Sequence, residues 1–243
     1  MKAMLFAAGL GTRLKPLTDK IPKALATVAG KTLLERAILL LKSHGVNYIV
    51  INIHHHADQI IEFVQKNDSF GIEIHFSDES AELLETGGGL LNASNHFAGK
   101  ESFFVMNADI ITDCNLERIY EQHQKSNALI TLALRNRPAG SRQLLFDENG
   151  FLCGRVDKKK GERQLVNDKK NLLELAFSGI HVVDPKWIDL NTYTGKFSII
   201  DSYLELCTNH KIIAHLHDED YWFDAGSVEK LQEAEVFLQT MGG

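Results

Sequence analysis

The segment that opens the chain, M-K-A-M-L-F-A-A-G-L-G-T-R-L-K-P-L-T-D-K-I-P-K-A-L, leaves it the fewest options. The apolar run from Met4 to Ala8 is too short for a useful helix and stops at Gly9, which predicts a buried strand ending in a tight turn. Such turns bind anions. Gly9 and Gly11 permit positive φ and let backbone N–H groups come close to a phosphate, while Arg13, Lys15 and Lys23 add positive charge to the same loop. Pro16 and Pro22 stiffen it. A dinucleotide fingerprint would need glycine where Leu14 stands and a helix starting at once, which Pro16 opposes. A Walker loop would need Gly-Lys-Ser/Thr where the chain has Gly-Thr-Arg. A plain glycine turn accounts for Gly9 and Gly11 but not for the pairing of Arg13 with Lys23.

Beyond the loop, helix and strand patterns alternate. Lys31 to His44 carries Leu33, Leu34, Ala37, Ile38, Leu40 and Leu41 at helical spacing with Gly45 as the stop, and Val46 to Ile53 is a strand. Ala57 to Lys66 returns to helix and Ile72 to Phe76 to strand. Short connections between them predict right-handed crossovers and an α/β fold with a doubly wound, mostly parallel, Rossmann-like sheet. The 243 residues fit one domain spanning 1–243 and are enough to bury a full core.

Composition narrows the partners. With 26 basic and 32 acidic residues the net charge is −6, which speaks against nucleic acid and anionic membrane while leaving room for a local phosphate pocket. Cys114, Cys153 and Cys207 are widely spaced with no C-x-x-C, suggesting neither a disulfide framework nor a zinc knuckle. A reducing, cytoplasmic setting fits. The Lys2 to Leu10 run lacks a credible cleavage site for a leader, and no stretch approaches a membrane span.

Further candidates lie along the chain. His54, His55 and His56 are consecutive, so they diverge and are expected in a solvated loop rather than around an ion. Leu84 to Leu90, L-E-T-G-G-G-L, places three glycines before a helix running to about Asn95, a second backbone-lined surface able to press on a flat base. The Phe103 to Met106 strand ends at Asn107-Ala108-Asp109, where a carboxylate faces the crevice in which α/β sheets bind ligands; a capping Asp would look the same. A helix from Asn115 to Lys125 and a strand from Ala128 to Leu134 come next. Beyond Pro138 the pattern becomes a hairpin around Asn149-Gly150 and a charged D-K-K-K-G-E loop, predicting an antiparallel annex over roughly 138–183 that holds a second substrate; Asp157 and Lys158 read as solvated. Gly179 interrupts the Leu173 to Val183 strand, as it would where something must approach the backbone. After a helix at Ile199 to Cys207 and a strand at Ile212 to Leu216, Asp224 precedes the last helix, Val228 to Leu238, and could cap it. Gly242-Gly243 reads as a frayed end.

A-A-G-L-G-T-R-L-K-P-L-T with I-P-K-A-L closely resembles the G-x-G-T-R, P-L-T and P-K signature of the sugar-1-phosphate nucleotidyltransferases. The resemblance implies the nucleotide-diphospho-sugar transferase fold and a nucleoside triphosphate over Ala7, Ala8, Gly9, Gly11, Thr12 and Arg13. It implies Arg13 on the departing phosphates and Lys23 bridging the reacting ones. E-T-G-G-G resembles the segment these enzymes set against base and ribose, which implies contacts from Glu85, Thr86, Gly87 and Gly88, with Asn107 beside them. That form looks like the uridylyltransferases of N-acetylmuramate 1-phosphate. Asp109 matches the family's metal-binding Asp, with Ala108 where glycine is usual, and W-F-D-A-G-S matches W-x-D-x-G-[TS], implying Asp224 as the second carboxylate on Mg²⁺. A-F-S-G-I implies Gly179 beside the sugar, with Glu174 on its hydroxyls and Lys23 on its phosphate. The expected reaction is nucleotidyl transfer from UTP to N-acetylmuramate 1-phosphate. Guanylyl transfer to mannose 1-phosphate, cytidylyl transfer to a phosphorylated alcohol, and a silent nucleotide-sugar sensor are the alternatives.

Overall fold

Residues 1–136, 140–167 and 169–241 are described by a computed structural model. Pro138, at the expected start of the annex, and the expected frayed Gly242-Gly243 lie outside the described residues. The first half contains β1 (Lys2–Phe6), a small antiparallel pair β2 (Thr27–Val28) and β3 (Lys31–Thr32), α1 (Leu33–Ser43), β4 (Tyr48–Ile53), α2 (Ala57–Lys66), β5 (Glu73–Asp78), α3 (Glu85–Asn92), β6 (Phe103–Asn107), β7 (Ile110–Thr112) and α4 (Leu116–Ser126). The second contains β8 (Ile130–Arg135), β9 (Arg142–Phe146), β10 (Leu152–Asp157), β11 (Glu162–Leu165), β12 (Leu173–Val183), α5 (Lys186–Leu190), α6 (Ile199–Leu206), β13 (Ile212–Leu216), β14 (Trp222–Asp224) and α7 (Val228–Met241).

β6, β1, β4 and β5 lie side by side and parallel, and β12 continues the sheet antiparallel to β6. The strands read as continuous apolar runs because both faces are covered. Ala3, Leu5, Ile49, Ile51, Phe104 and Met106 meet Leu34, Ile38, Ile60, Val64 and Ile119 of α1, α2 and α4, while Met4, Val50, Phe103 and Val105 meet Leu90, Trp187, Tyr203 and Leu204 of α3, α5 and α6. That is the doubly wound arrangement expected from the alternation. Thr32 starts α1 by accepting the Glu35 N–H at 3.0 Å, and Gly45, at φ +78, ends the segment.

β12 joins core and annex. Leu173 to Leu175 pair with β9, Ile180 to Val183 pair with β6, and the register against β8 shifts between Phe177 and His181. Gly179 sits inside that shift at φ +75, a conformation in which a side chain is strained. β9, β10 and β11 complete the antiparallel annex; β11 starts at Glu162, the last residue of the expected charged loop. Two expectations are corrected. The three glycines lie within α3, not before it, because each packs against a neighbour that a side chain would displace. The Trp222 to Asp224 segment is a strand paired with β7, three residues long on each side and too short for any periodicity to announce.

Three buried histidines bear on stability. His181, His123 and His217 are pushed down to about 3, 4 and 4 by burial, so all are neutral in the folded protein at pH 6.5. The unfolded chain takes up these protons near pH 6.5 and the folded chain does not, so stability is full above that pH and is lost as pH falls from 6.5 towards about 4. His181 has neither ring nitrogen hydrogen-bonded. His181→Phe is therefore expected to raise unfolding free energy at pH 7 by about 1 kcal/mol, the scale of one unpaired buried polar group, and by more at pH 5, which urea titrations at the two pH values check.

Candidate active site

The first loop is shaped by its glycines. Gly11 is left-handed (φ +61), and a Cβ there would meet Thr18 Cγ2 at 2.8 Å and Lys23 Cβ at 2.9 Å. Thr18 Oγ1 donates to the Gly11 carbonyl at 2.9 Å, and Leu14 N–H closes the turn on the same oxygen at 2.8 Å. The loop thus packs on the Lys23 stem, and the half-buried Lys23 ammonium donates to Asp109 Oδ2. Asp109 stands in the turn after β6, where Ala108 N–H bonds the Phe6 carbonyl at 3.0 Å and ties the ends of β1 and β6 together.

Asp224 reaches the same place by pairing. In the antiparallel β7–β14 ladder Asp224 lies opposite Ile110, and Ala225 N–H donates to the Asp109 carbonyl at 2.9 Å. The backbones of Asp109 and Asp224 are therefore held close together at the end of the ladder. Gly226 is buried beside them; a Cβ there would meet Arg13 Nη2 at 2.6 Å and Asp224 Oδ1 at 2.7 Å, so the Arg13 guanidinium and the Asp224 carboxylate converge on the space this glycine leaves. All four groups expected to carry chemistry are gathered at the carboxyl ends of β1 and β6.

A cavity of ≈ 230 Å³ opens in front of Asp109, lined by Ala7, Ala8, Gly9, Lys23, Asn107, Glu85 and Thr86 together with Asn52 and Leu83. Gly11, Thr12, Arg13, Gly87, Gly88, Gly179, Glu174 and Asp224 lie outside its lining. For Gly87 and Gly88 this corrects the expectation of a glycine surface for a base. A Cβ at Gly87 would run into the Phe197 ring and one at Gly88 into the Gly195 carbonyl, so these glycines serve close packing on the 195–197 loop. Gly87 N–H bonds the Phe197 carbonyl at 2.9 Å, and Thr86 Oγ1 accepts the Ile199 N–H at 3.0 Å. Glu85, at φ +60, and Thr86 are what this segment turns to the cavity.

Asn52 and Glu79 were absent from the expected set. Asn52 Oδ1 accepts the N–H groups of Ala7 and Ala8 at 2.7 and 3.3 Å, and its Nδ2 donates to Glu79 Oε1 at 2.7 Å. Glu79 Oε2 accepts the Leu84 N–H at 3.0 Å. This buried chain runs from the phosphate loop to the start of α3. A Cβ at Gly89 would come within 2.6 Å of Glu79 Oε1, so the third glycine makes room for it. A polar Asn inside Y-I-V-I-N-I was a signal for the first residue; nothing local pointed to the second. His54 and His56 are less solvated than expected: His54 Nδ1 bonds the Glu79 carbonyl at 2.7 Å, and His56, at φ +56, starts α2.

The sugar-side candidates divide. Gly179 leaves space that Asn107 Nδ2 fills, at 2.8 Å from where its Cβ would be, so it positions a cavity residue. Glu174 is paired within the annex, with Lys158 at 2.8 Å and Arg163 at 3.6 Å on its carboxylate, and lines neither cavity. Its carboxyl is held below the usual range by the Lys158 hydrogen bond first and then by charge. Asp157, expected in a solvated loop, closes β10 with its side chain only 15% exposed and accepts the Lys159 N–H at 3.0 Å. It lines a second, annex cavity of ≈ 500 Å³ with Arg142, Arg155, Arg163, Phe177 and Ser198. Phe177 and Gly179 are two residues apart on β12, and Ser198 adjoins the Ile199 that bonds Thr86. The two cavities therefore flank one narrow partition.

Comparison with known proteins agrees with this layout. A family profile described as "Nucleotidyl transferase" matches residues 2–143. The N-acetylmuramate alpha-1-phosphate uridylyltransferase of Neisseria meningitidis is 30% identical over 97% of each chain. The UTP–glucose-1-phosphate uridylyltransferase of Synechocystis is 28% identical over 96% of this chain and 62% of its own length. The crystal structure of HddC from Yersinia pseudotuberculosis complexed with GMP-PN superposes with a TM-score of 0.79 over 98% of this chain and 99% of that one, at 24% identity, and shows the fold.

The buried chain gives a direct test. Glu79→Ala strands the Asn52 amide and the Leu84 N–H, and is expected to cost about 3 kcal/mol in denaturant unfolding, whereas Glu79→Gln keeps an acceptor for each and loses less than half of that.

Proposed function

Because the chain belongs to the nucleotidyl transferase family, we propose that it joins a nucleoside triphosphate to a sugar 1-phosphate, giving a nucleoside-diphosphate sugar and pyrophosphate, with UTP and N-acetylmuramate 1-phosphate as its substrates. The observation that carries the reading is the Lys23–Asp109 pair on one cavity's wall, joined through the Asp109–Ala225 backbone bond to the place beside Gly226 where Arg13 and Asp224 meet. We read 1–243 as one catalytic domain in which the first cavity holds the nucleotide and the annex, roughly 138–183, holds the sugar.

The chemistry asks little of a side chain beyond charge and alignment. A phosphate oxygen of the sugar 1-phosphate is already anionic, so it attacks the α-phosphorus without a general base. The new P–O bond forms as the bond to the β-phosphate breaks, and its electron pair leaves with pyrophosphate. Lys23 neutralises the reacting phosphates, and Arg13 the departing ones. Backbone N–H groups of the Gly9 to Gly11 turn cradle the triphosphate, and Glu85 and Thr86 border the nucleoside. Carboxylates suit a hard divalent cation, so Asp109 and Asp224, whose backbones meet at the end of the β7–β14 ladder, would hold Mg²⁺, which when bound would supply charge neutralisation at the phosphates. Lys23 rests on Asp109 in the free protein, within reach of the same phosphates.

The annex favours an acidic sugar. Arg142, Arg155 and Arg163 line its cavity, and although each touches an acid (Asp157, Asp201 and Glu174), a guanidinium keeps spare donors after one such contact. N-acetylmuramate carries a carboxylate that N-acetylglucosamine lacks.

Pyrophosphate release with each of the four nucleotides across a panel of sugar 1-phosphates tests the proposal. UTP with N-acetylmuramate 1-phosphate is expected to be fastest, with N-acetylglucosamine 1-phosphate at least ~10-fold slower, the scale of one lost charge-assisted contact. Activity with GTP and mannose 1-phosphate, or with CTP, would replace the substrate assignment, and silence on every pair would favour a sensor. Asp109→Ala or Asp224→Ala is expected to lower turnover at least ~100-fold.

A further inference from the structure

Beside the β7–β14 ladder three side chains converge from two loops: Cys114 after β7, and His217 and Asp220, three residues apart, in the connection from β13 to β14. Each offers one ligand atom, and these atoms lie within 4.8 Å of one another. Cys114 is 1% and His217 4% exposed.

The histidine is the telling member. Its Nε2 is 2.6 Å from Ser178 Oγ, whereas its buried Nδ1 has no hydrogen-bond partner and stands 3.5 Å from Asp220 Oδ2. With Nε2–H donating to the serine, Nδ1 presents a bare lone pair to a carboxylate. Burial keeps this imidazole neutral despite the opposing pull of Asp220, with Arg135 helping to hold the proton off. In the tautomer that leaves Nδ1 bare, imidazole and carboxylate are two acceptors between which a cation fits, and the Cys114 thiol, hydrogen-bonded to Asp220, stands on the third side.

We propose that Cys114, His217 and Asp220 form a binding site for a thiophilic divalent cation of the Zn²⁺ type, held by the Cys114 thiolate, His217 Nδ1 and one Asp220 oxygen, with water as the fourth ligand. Tetrahedral bonds of about 2.0–2.3 Å set such atoms roughly 3.4–3.6 Å apart, so the His217 and Asp220 atoms already have the required separation. Thiolate and carboxylate together balance the divalent charge. The donor set of sulfur, imidazole and one oxygen separates this site from the all-oxygen pair Asp109 and Asp224. Burial and Asp220 push the free thiol up, so at pH 7 binding forms the S–metal bond by expelling the thiol proton to solvent, one proton per ion. Bound there, the ion clips the loop leaving β7 to the loop entering β14 and fastens the ladder that presents the two catalytic-site carboxylates.

Titrating metal-stripped full-length protein with Co²⁺, without nucleotide, tests the site. One equivalent is expected to bind with a thiolate-to-cobalt charge-transfer band and the visible bands of a four-coordinate ion, and Zn²⁺ should displace it mole for mole. Zn²⁺ added to the apo-protein should release one proton at pH 7. Cys114→Ser should abolish the charge-transfer band and His217→Gln should weaken binding at least tenfold, while Asp109→Asn should change neither. A wild-type protein without the thiolate band overturns the proposal whatever the variants do, as does a band that survives in Cys114→Ser.

Discussion

One long-range backbone contact organises the chemistry: the β7–β14 pairing that sets Asp224 against Ile110 and lets Ala225 N–H bond the carbonyl of Asp109 at 2.9 Å. More than a hundred residues separate the partners, so the loop-closure entropy is met by the packing of everything between them. The contact is three residues long and could not hold alone. Thr112 Oγ1, which donates to the Tyr221 carbonyl at 2.6 Å, and Trp222 Nε1, which donates to the Ser178 carbonyl at 2.9 Å, anchor it to the rest of the fold. Because the ladder fixes backbone rather than side chains, the two carboxylates keep their freedom to meet charge.

Around that pairing the molecule uses glycine to bring atoms together rather than to leave them exposed. Gly226 admits Arg13 and Asp224 to one space, Gly179 admits the Asn107 amide, and Gly87, Gly88 and Gly89 admit Phe197, the Gly195 carbonyl and Glu79. The glycine triplet thereby couples α3 to the loop before α6 and to the buried Asn52–Glu79 chain. A base bound against Glu85 and Thr86 would rest on a wall stiffened from behind. The partition between the two cavities belongs to the same construction, since the Thr86–Ile199 bond forms part of it.

Charge is arranged with similar separation of tasks. The cation on the first cavity's wall, Lys23, is half-buried and paired with Asp109, while the annex cations are more exposed and each shares an acid. Exposed pairs of the second kind contribute little to stability and give way readily to an anionic ligand. A buried pair such as the first is costly to leave broken, which favours its exchange only for another strong anion, a phosphate.

Local chemistry was legible in the linear chain. The short apolar strand, Gly9, Gly11, Arg13 and Lys23 are near neighbours whose geometry is set within the loop itself, and the alternating strand and helix periodicities arise from burial on two faces. Position along the chain also marked Asp109, at a strand end, and the family motif marked Asp224. What tertiary structure alone decided was company. Glu79 was unreadable because its partners Asn52 and Leu84 come from other elements; the glycine triplet was misread because the atoms that exclude a side chain belong to residues 195–197 and to Glu79. The pairing of Glu174 with Lys158 and Arg163 was unreadable because both reach it only across the annex sheet. His217 and Asp220 are three residues apart in one loop, but Cys114 lies about a hundred residues away and joins them only when the last strands close on the sheet. Linear order determines what each residue can do within a few bonds of its own backbone, whereas proximity between distant groups is a property of the folded packing.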